Sequence, residues 1–191
     1  SLDQFIKNIS QLVVFILIFV VAGAIAEEKT TRTIEMVLTK PISRSSFVLA
    51  KFASYFLSVS TLFVTGSLIF YLYTLSTFGS FSIVNFGIIT ACILLYILMI
   101  ISITLFASSF ARSTVTAAGM GLFTMIIIIP VVGLFRAVKD YSPSILVSAY
   151  KEIILNGYSS ILNKPLIAAV FIISLSIFTA VMLFNRQEVE R

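Results

Sequence analysis

Eight of the 21 charged residues in the chain fall within one stretch, from Glu27 to Lys51, between long apolar runs. Side chains three or four apart share a helical face. Glu28, Arg32 and Glu35 can therefore form two ion pairs, Glu28–Arg32 and Arg32–Glu35, while Ile34, Val37 and Leu38 fall on another face. That pattern is suited to docking rather than reaction: it can fit a groove in a soluble partner or rest on lipid headgroups. Reactive chemistry is hard to assemble elsewhere. There is no His, and the one Cys, Cys92, sits inside an apolar run. A Cys/His zinc site and an internal disulfide are therefore both excluded. The sequence lacks a Gly-x-x-x-x-Gly-Lys-Ser/Thr loop, so the chain does not hold ATP in the P-loop manner. No Asp, Glu, His, Lys or Arg lies in the interior of an apolar run. That weighs against a proton-driven carrier, a voltage sensor and an intramembrane protease. Lys139, Asp140 and Glu152 are the charged candidates for a lipid-acting enzyme, and they lie only in a connecting segment.

Lipid must be the solvent for these elements. The 191 residues are 59% hydrophobic and 11% charged, against roughly 45–50% and about 25% for a soluble domain. The expected fold is all-α and polytopic. Five runs have about the length needed to cross a bilayer: 9–26, 50–74, 83–109, 114–135 and 165–184. The second belongs to a helix that starts near residue 44, with Arg44 and Lys51 at or near the interface. Small residues four apart, Ala22 with Ala26 (and Gly23 beside them) and Ala117 with Gly121, allow helix backbones to approach closely in lipid. Pro130 predicts a kink in the fourth run.

A short amphipathic helix over about 28–39 should end near Lys40, because Pro41 disfavours a helical residue before it. Ser43 can cap the helix that follows. A second short helix is expected over about 143–156, with Ser142 as N-cap, Pro143 at the first position and Asn156-Gly157 as the stop. It is too short to span. Eight Lys and Arg residues fall on the insert side (Lys29, Arg32, Lys40, Arg44, Lys51, Arg112, Arg186, Arg191), against five on the other (Lys7, Arg136, Lys139, Lys151, Lys164). Positive charge accumulates on the cytoplasmic side, so the insert and the C-terminus are expected in the cytoplasm. An odd number of spans then places Ser1 outside and implies a preceding segment. The net charge of +5 shows no basic–aromatic patch of the kind that binds nucleic acid.

The run from Ala26 to Lys51 resembles the signature of type-2 ATP-binding-cassette (ABC) permeases, with the acidic pair Glu27-Glu28, then Arg32 and Glu35, a break at Pro41, Arg44 and Lys51. Ala107-Ser-Ser-Phe-Ala-Arg-Ser-Thr114 is similar to the family's tight cytoplasmic turn. Tyr141-Ser-Pro143 is similar to its outer re-entrant segment, and Phe184-Asn-Arg-Gln-Glu-Val189 to its C-terminal ending. The Ala-Glu-Glu-Lys-Thr wording resembles a branch of sodium-efflux and multidrug permeases. The resemblance implies a single permease domain over 1–191 that shows the last five of six spans. It implies a multi-pass subunit of the plasma or inner membrane, paired as a permease dimer and served by a separate ABC ATPase that carries ATP and Mg. In this chain it implies no cofactor and no catalytic residue. Residues 28–39 would be the coupling helix, with Glu27, Glu28, Arg32 and Glu35 as polar contacts and Ile34 and Leu38 packing against the permease or the ATPase. Pro41 and Arg44 would shape the re-entry turn. The residues themselves leave a second reading, a non-transporting membrane anchor that recruits a cytoplasmic partner through 27–51.

Overall fold

The computed structural model describes residues 4, 9–30, 44–78, 82–111, 113–128, 135 and 139–186, and among them every regular element is helical. A π-helical turn at Ile9–Val13 leads into α1 (Val14–Thr30). Then come α2 (Arg44–Phe78), α3 (Ile83–Phe110) and α4 (Thr114–Phe123), which widens into a π-turn at Thr124–Ile128. A 3-10 turn at Lys139–Tyr141 precedes the short α5 (Ser144–Ser148) and α6 (Tyr150–Asn156). A second 3-10 turn, Ser160–Leu162, leads into α7 (Asn163–Arg186). Among the described residues, four segments are long and apolar enough to cross a membrane: Gln11–Glu28, Ser45–Thr77, Ile83–Phe110 and Ser160–Asn185. In lipid, helices are the natural solution because each satisfies its backbone polar groups internally.

The helix α3 lies at the centre. It is apolar on every side, as expected of a helix surrounded by others, and 16 of its 28 residues are buried within the molecule. α1, α2, α4, α5, α6 and α7 all pack on it. Ser82 caps its start by accepting from the Asn85 N–H. A reciprocal Ser113–Thr116 capping box starts α4. These caps satisfy helix-end donors that lipid cannot serve.

Several boundaries differ from the sequence expectation. α1 runs four residues past the predicted end at Ala26, so Glu27 and Glu28 sit on its last turns instead of opening a separate helix. α2 reaches Phe78 rather than residue 74; at 1.5 Å per residue it is ~52 Å long, against a hydrocarbon core of ~30 Å. α7 extends the predicted 165–184 by two residues at each end. The fourth predicted span is described as far as Ile128, and both Pro130 and its expected kink lie outside the described residues. The predicted 143–156 helix is broken at Ala149 into α5 and α6. Its start also differs: the Ser142 hydroxyl meets the Ser144 hydroxyl at 2.8 Å instead of capping the backbone, and Pro143 occupies the cap position. The predicted stop is where the sequence places it, with Gly157 at φ 74°, a conformation that side chains resist.

Leu146 and Ile153 anchor α5 and α6 in the core. At the opposite end of the bundle, α1, α3 and α4 meet through small residues. A Cβ added at Gly121 would stand 2.8 Å from Ile18 Cγ2 and 2.9 Å from Thr104 Oγ1, whereas one at Gly119 would meet nothing within 4 Å. Gly121→Ala should therefore force α4 off its seat and lower stability by ~1–3 kcal/mol. Gly119→Ala should stay within ~1 kcal/mol of the parent, on the favourable side, because Ala is the better helix former. Thermal unfolding of the two variants in detergent checks this, and equal melting temperatures would contradict the packing described.

Candidate functional site

The last described turns of α1 carry two carboxylates, Glu27 and Glu28. Lys51, on the second turn of α2, pairs with Glu28. Each side chain is 27% exposed, so this pair is less screened than a surface one. The Lys51 ammonium also lies 5.6 Å from the centre of the Phe47 ring. That ring stacks on Phe184 of α7 with centroids 5.7 Å apart, and Asn185 donates to the Ser45 hydroxyl at 3.1 Å. The end of α1, the start of α2 and the end of α7 are thus fastened together at the base of the polar insert. The other Glu28 oxygen is buried without a partner among the described residues; Arg32, its expected partner, lies outside them.

A second fastening comes from α3. Fully buried Ser108 donates to the Ala22 carbonyl at 2.8 Å and accepts from the backbone N–H groups of Ile25 and Ala26 at 3.1 and 3.0 Å. One hydroxyl therefore bridges three backbone groups of α1 immediately before Glu27 and Glu28. It can reach them because the residues around it are small: Ala22, Ala26, Ala111, Ala117 and Ala118 form one buried cluster. Gly23 leaves room for the Glu27 carboxylate, since a Cβ there would lie 3.1 Å from Glu27 Oε2.

Of the residues singled out in the sequence, Ala22, Ala26 and Ala117 are brought into that cluster. Gly121 sits one turn deeper, between Ile18 and Thr104. Glu27 and Glu28 stand on α1, and Arg44 begins α2. Arg32, Ile34, Glu35, Leu38 and Pro41 lie outside the described residues. Sequence reasoning missed the bridging role of Ser108, the Lys51–Glu28 pair and the Phe47–Phe184 stack. Ser108 and Phe184 were within the quoted motifs, but their partners are far away in sequence, and no local pattern names them. Among the described residues no cluster of His, Cys, Asp or Glu could hold a metal ion.

The far end carries a different ion pair. Lys164 of α7 donates to Asp140 at 2.9 Å and lies 5.7 Å from the centre of the Tyr141 ring. The hydrogen bond from Lys164, and then its charge, hold the Asp140 carboxyl below its ordinary range. A depressed carboxyl contributes stability above its unfolded value and loses it as pH falls through the folded value. The contact should therefore be unchanged between about pH 7 and 5. In Lys164→Gln the Asp140 carboxyl should titrate at higher pH, as followed by carbon NMR. An unmoved midpoint would show that Lys164 is not the cause.

The fold defines a polytopic helical membrane protein, with apolar spans and one polar end where α1, α2 and α7 are fastened together. The match to ABC-2 family transporter protein extends over residues 2–187. The chain belongs to that family and is by that membership an ABC transporter permease. No curated protein matches it.

The Glu28–Lys51 pair can be weighed by a double-mutant cycle. Lys51→Met alone leaves a half-buried carboxylate unpaired and should cost ~1–2 kcal/mol, between the exposed and buried limits. Glu28→Gln in the same background should recover most of that loss. Strictly additive losses in thermal unfolding would show that the pair contributes nothing.

Proposed function

We propose that this permease is the membrane subunit of an ATP-driven exporter. A separate ABC ATPase, which carries ATP and Mg, docks on residues 28–39, and two permease copies form the path between them. The supporting observation is that the helices on either side of the insert are fastened at its base, through Glu28–Lys51 and through Ser108 on the α1 backbone. A displacement applied to the insert is thereby delivered to α1, α2, α3 and α7 together. Arg32 and Glu35 are the polar contacts to the ATPase, Ile34 and Leu38 the apolar ones, and Pro41 and Arg44 shape the return to the membrane. The insert and the C-terminus face the cytoplasm, in line with the Lys and Arg excess on that side. An apolar or amphiphilic cargo fits spans whose interiors hold no carboxylate better than a sodium ion does.

Reversing charge at both positions, Arg32→Glu with Glu35→Lys, should weaken co-purification with the nucleotide-binding subunit by about tenfold or more, as loss of a close interfacial charge pair does. Stimulated ATPase activity should fall with it. Unchanged assembly and activity would end the coupling assignment. Solute flux in proteoliposomes containing both subunits separates an exporter from a membrane anchor, which would assemble without flux.

A further inference from the structure

Away from the Glu28–Lys51 pair, α1 and α2 do not pack closely on each other. Between them and α3 lies a cleft of about 270 Å³, lined by Val13 of the π-helical turn, Leu17 of α1, Val59, Phe63 and Ser67 of α2, and Ile97 of α3. Its lining carries a single polar side chain, Ser67. Ser67 is 3% exposed, and its hydroxyl is buried with no hydrogen-bond partner. Ser60, on the same helix but off the cleft, also has a buried hydroxyl without a partner among the described residues. The hydroxyls of Thr61, Thr65, Thr74 and Thr77 each bond back to the carbonyl four residues earlier, the usual local solution for such groups. A buried hydroxyl without a partner is costly in apolar surroundings, so Ser67 is a hydrogen-bonding group held in reserve at an otherwise greasy site.

The position of Ser67 indicates what would use it. Along α2 it stands 16 residues beyond Lys51, ~24 Å, whereas Val59 stands only 8 residues beyond, ~12 Å. Tyr71 and Tyr73 follow one turn later, residue types suited to a membrane boundary. The cleft is therefore polar towards the boundary remote from the insert and apolar towards the middle of the bilayer. An amphiphile in that leaflet lies with the same polarity. Among the described residues the lining carries no charged side chain, which disfavours an ionised headgroup. The volume is at the small end for ligand sites, roughly 300–1,000 Å³, which suits one chain rather than the two of a membrane phospholipid.

We propose that this cleft binds a single-chain, uncharged amphiphile, with its hydroxyl or amide on Ser67 Oγ and its tail lying between α1 and α2 towards Val59. The site does not depend on what drives transport. It can be tested on the purified protein in nanodiscs with a decanol that carries a mid-chain diazirine. Photolabelling should fall on the Val59–Ser67 stretch of α2 and the Val13–Leu17 stretch, and excess unmodified decanol should compete it away. Ser67→Ala should weaken labelling by about three- to tenfold, the effect of one neutral hydrogen bond. Gly66→Leu, at a lining position where an added Cβ meets nothing within 4 Å, should fill the cleft and abolish labelling. Gly87→Leu, at an equally open position off the cleft, should label like the parent. The proposal is overturned if labelling spreads evenly over lipid-facing residues such as Leu72 and Phe171, or if a phospholipid with the same diazirine labels the cleft equally well. It is also overturned if Gly66→Leu labels like the parent, or if Ser67→Ala does so while Gly66→Leu does not, which would remove the hydrogen bond.

Discussion

The whole arrangement depends on α3, an apolar helix with no polar face to present. A helix that is greasy all round gains nothing from orientation. It is specified instead by what surrounds it, and every other α-helix packs on it. In lipid no hydrophobic force drives those helices together, so association rests on close packing and on the few hydrogen bonds that cross between helices. Packing is closest where small residues allow it. That explains why the alanine cluster and Gly121 lie on the α1–α3–α4 contact, and why α2 and α7, rich in large side chains, show most of their surface outward.

The same scarcity makes each polar contact consequential. Ser108 is useful because α1 comes close enough for a short side chain to reach three of its backbone groups. Lys51 is useful because it pairs with a Glu28 carboxylate that is only 27% exposed. These contacts lie at one end of the bundle, beside the only long polar stretch of the sequence. The uncharged interior and the charged end are complementary requirements: the spans must be free of charge to stay in lipid, so the polar groups that link one helix to the next accumulate where the helices leave it.

Much of this was legible from residue types. Apolar runs of sufficient length placed α2, α3 and α7 to within a few residues, because in a membrane burial and length are one constraint. Ala22 and Ala26, four apart in one run, and Ala117, four before Gly121 in another, lie in one buried cluster. The less legible features were those decided between distant segments. α1 continues through Glu27 and Glu28 because Lys51, 23 residues on, offsets the charge; local pattern alone favours a stop at Ala26. The break at Ala149 follows from seating both Leu146 and Ile153 on α3, and a helical repeat cannot show it. The Ser67 hydroxyl reads in sequence like any other on α2. Only its place in the folded molecule shows that it is buried and unpaired.

The two helices that flank the insert are held unequally. Moving α1 against α3 would break the three contacts to Ser108 and open the alanine cluster, where no lipid tail can follow closely enough to replace them. α2, in which only Phe47, Val48, Val59, Ser67 and Tyr71 are buried among the described residues, mostly exchanges one lipid contact for another when it tilts. Its fixed points are at its ends: Phe47, Ser45 and Lys51 against α7 and α1, and Tyr71 against Phe86, with ring centroids 5.1 Å apart. Between these ends, Val59 to Ser67 borders the open cleft. The stiff path from the insert into the membrane therefore runs through α1, and the compliant one through α2. The cleft lies on the boundary between them, where a small relative movement changes its volume most.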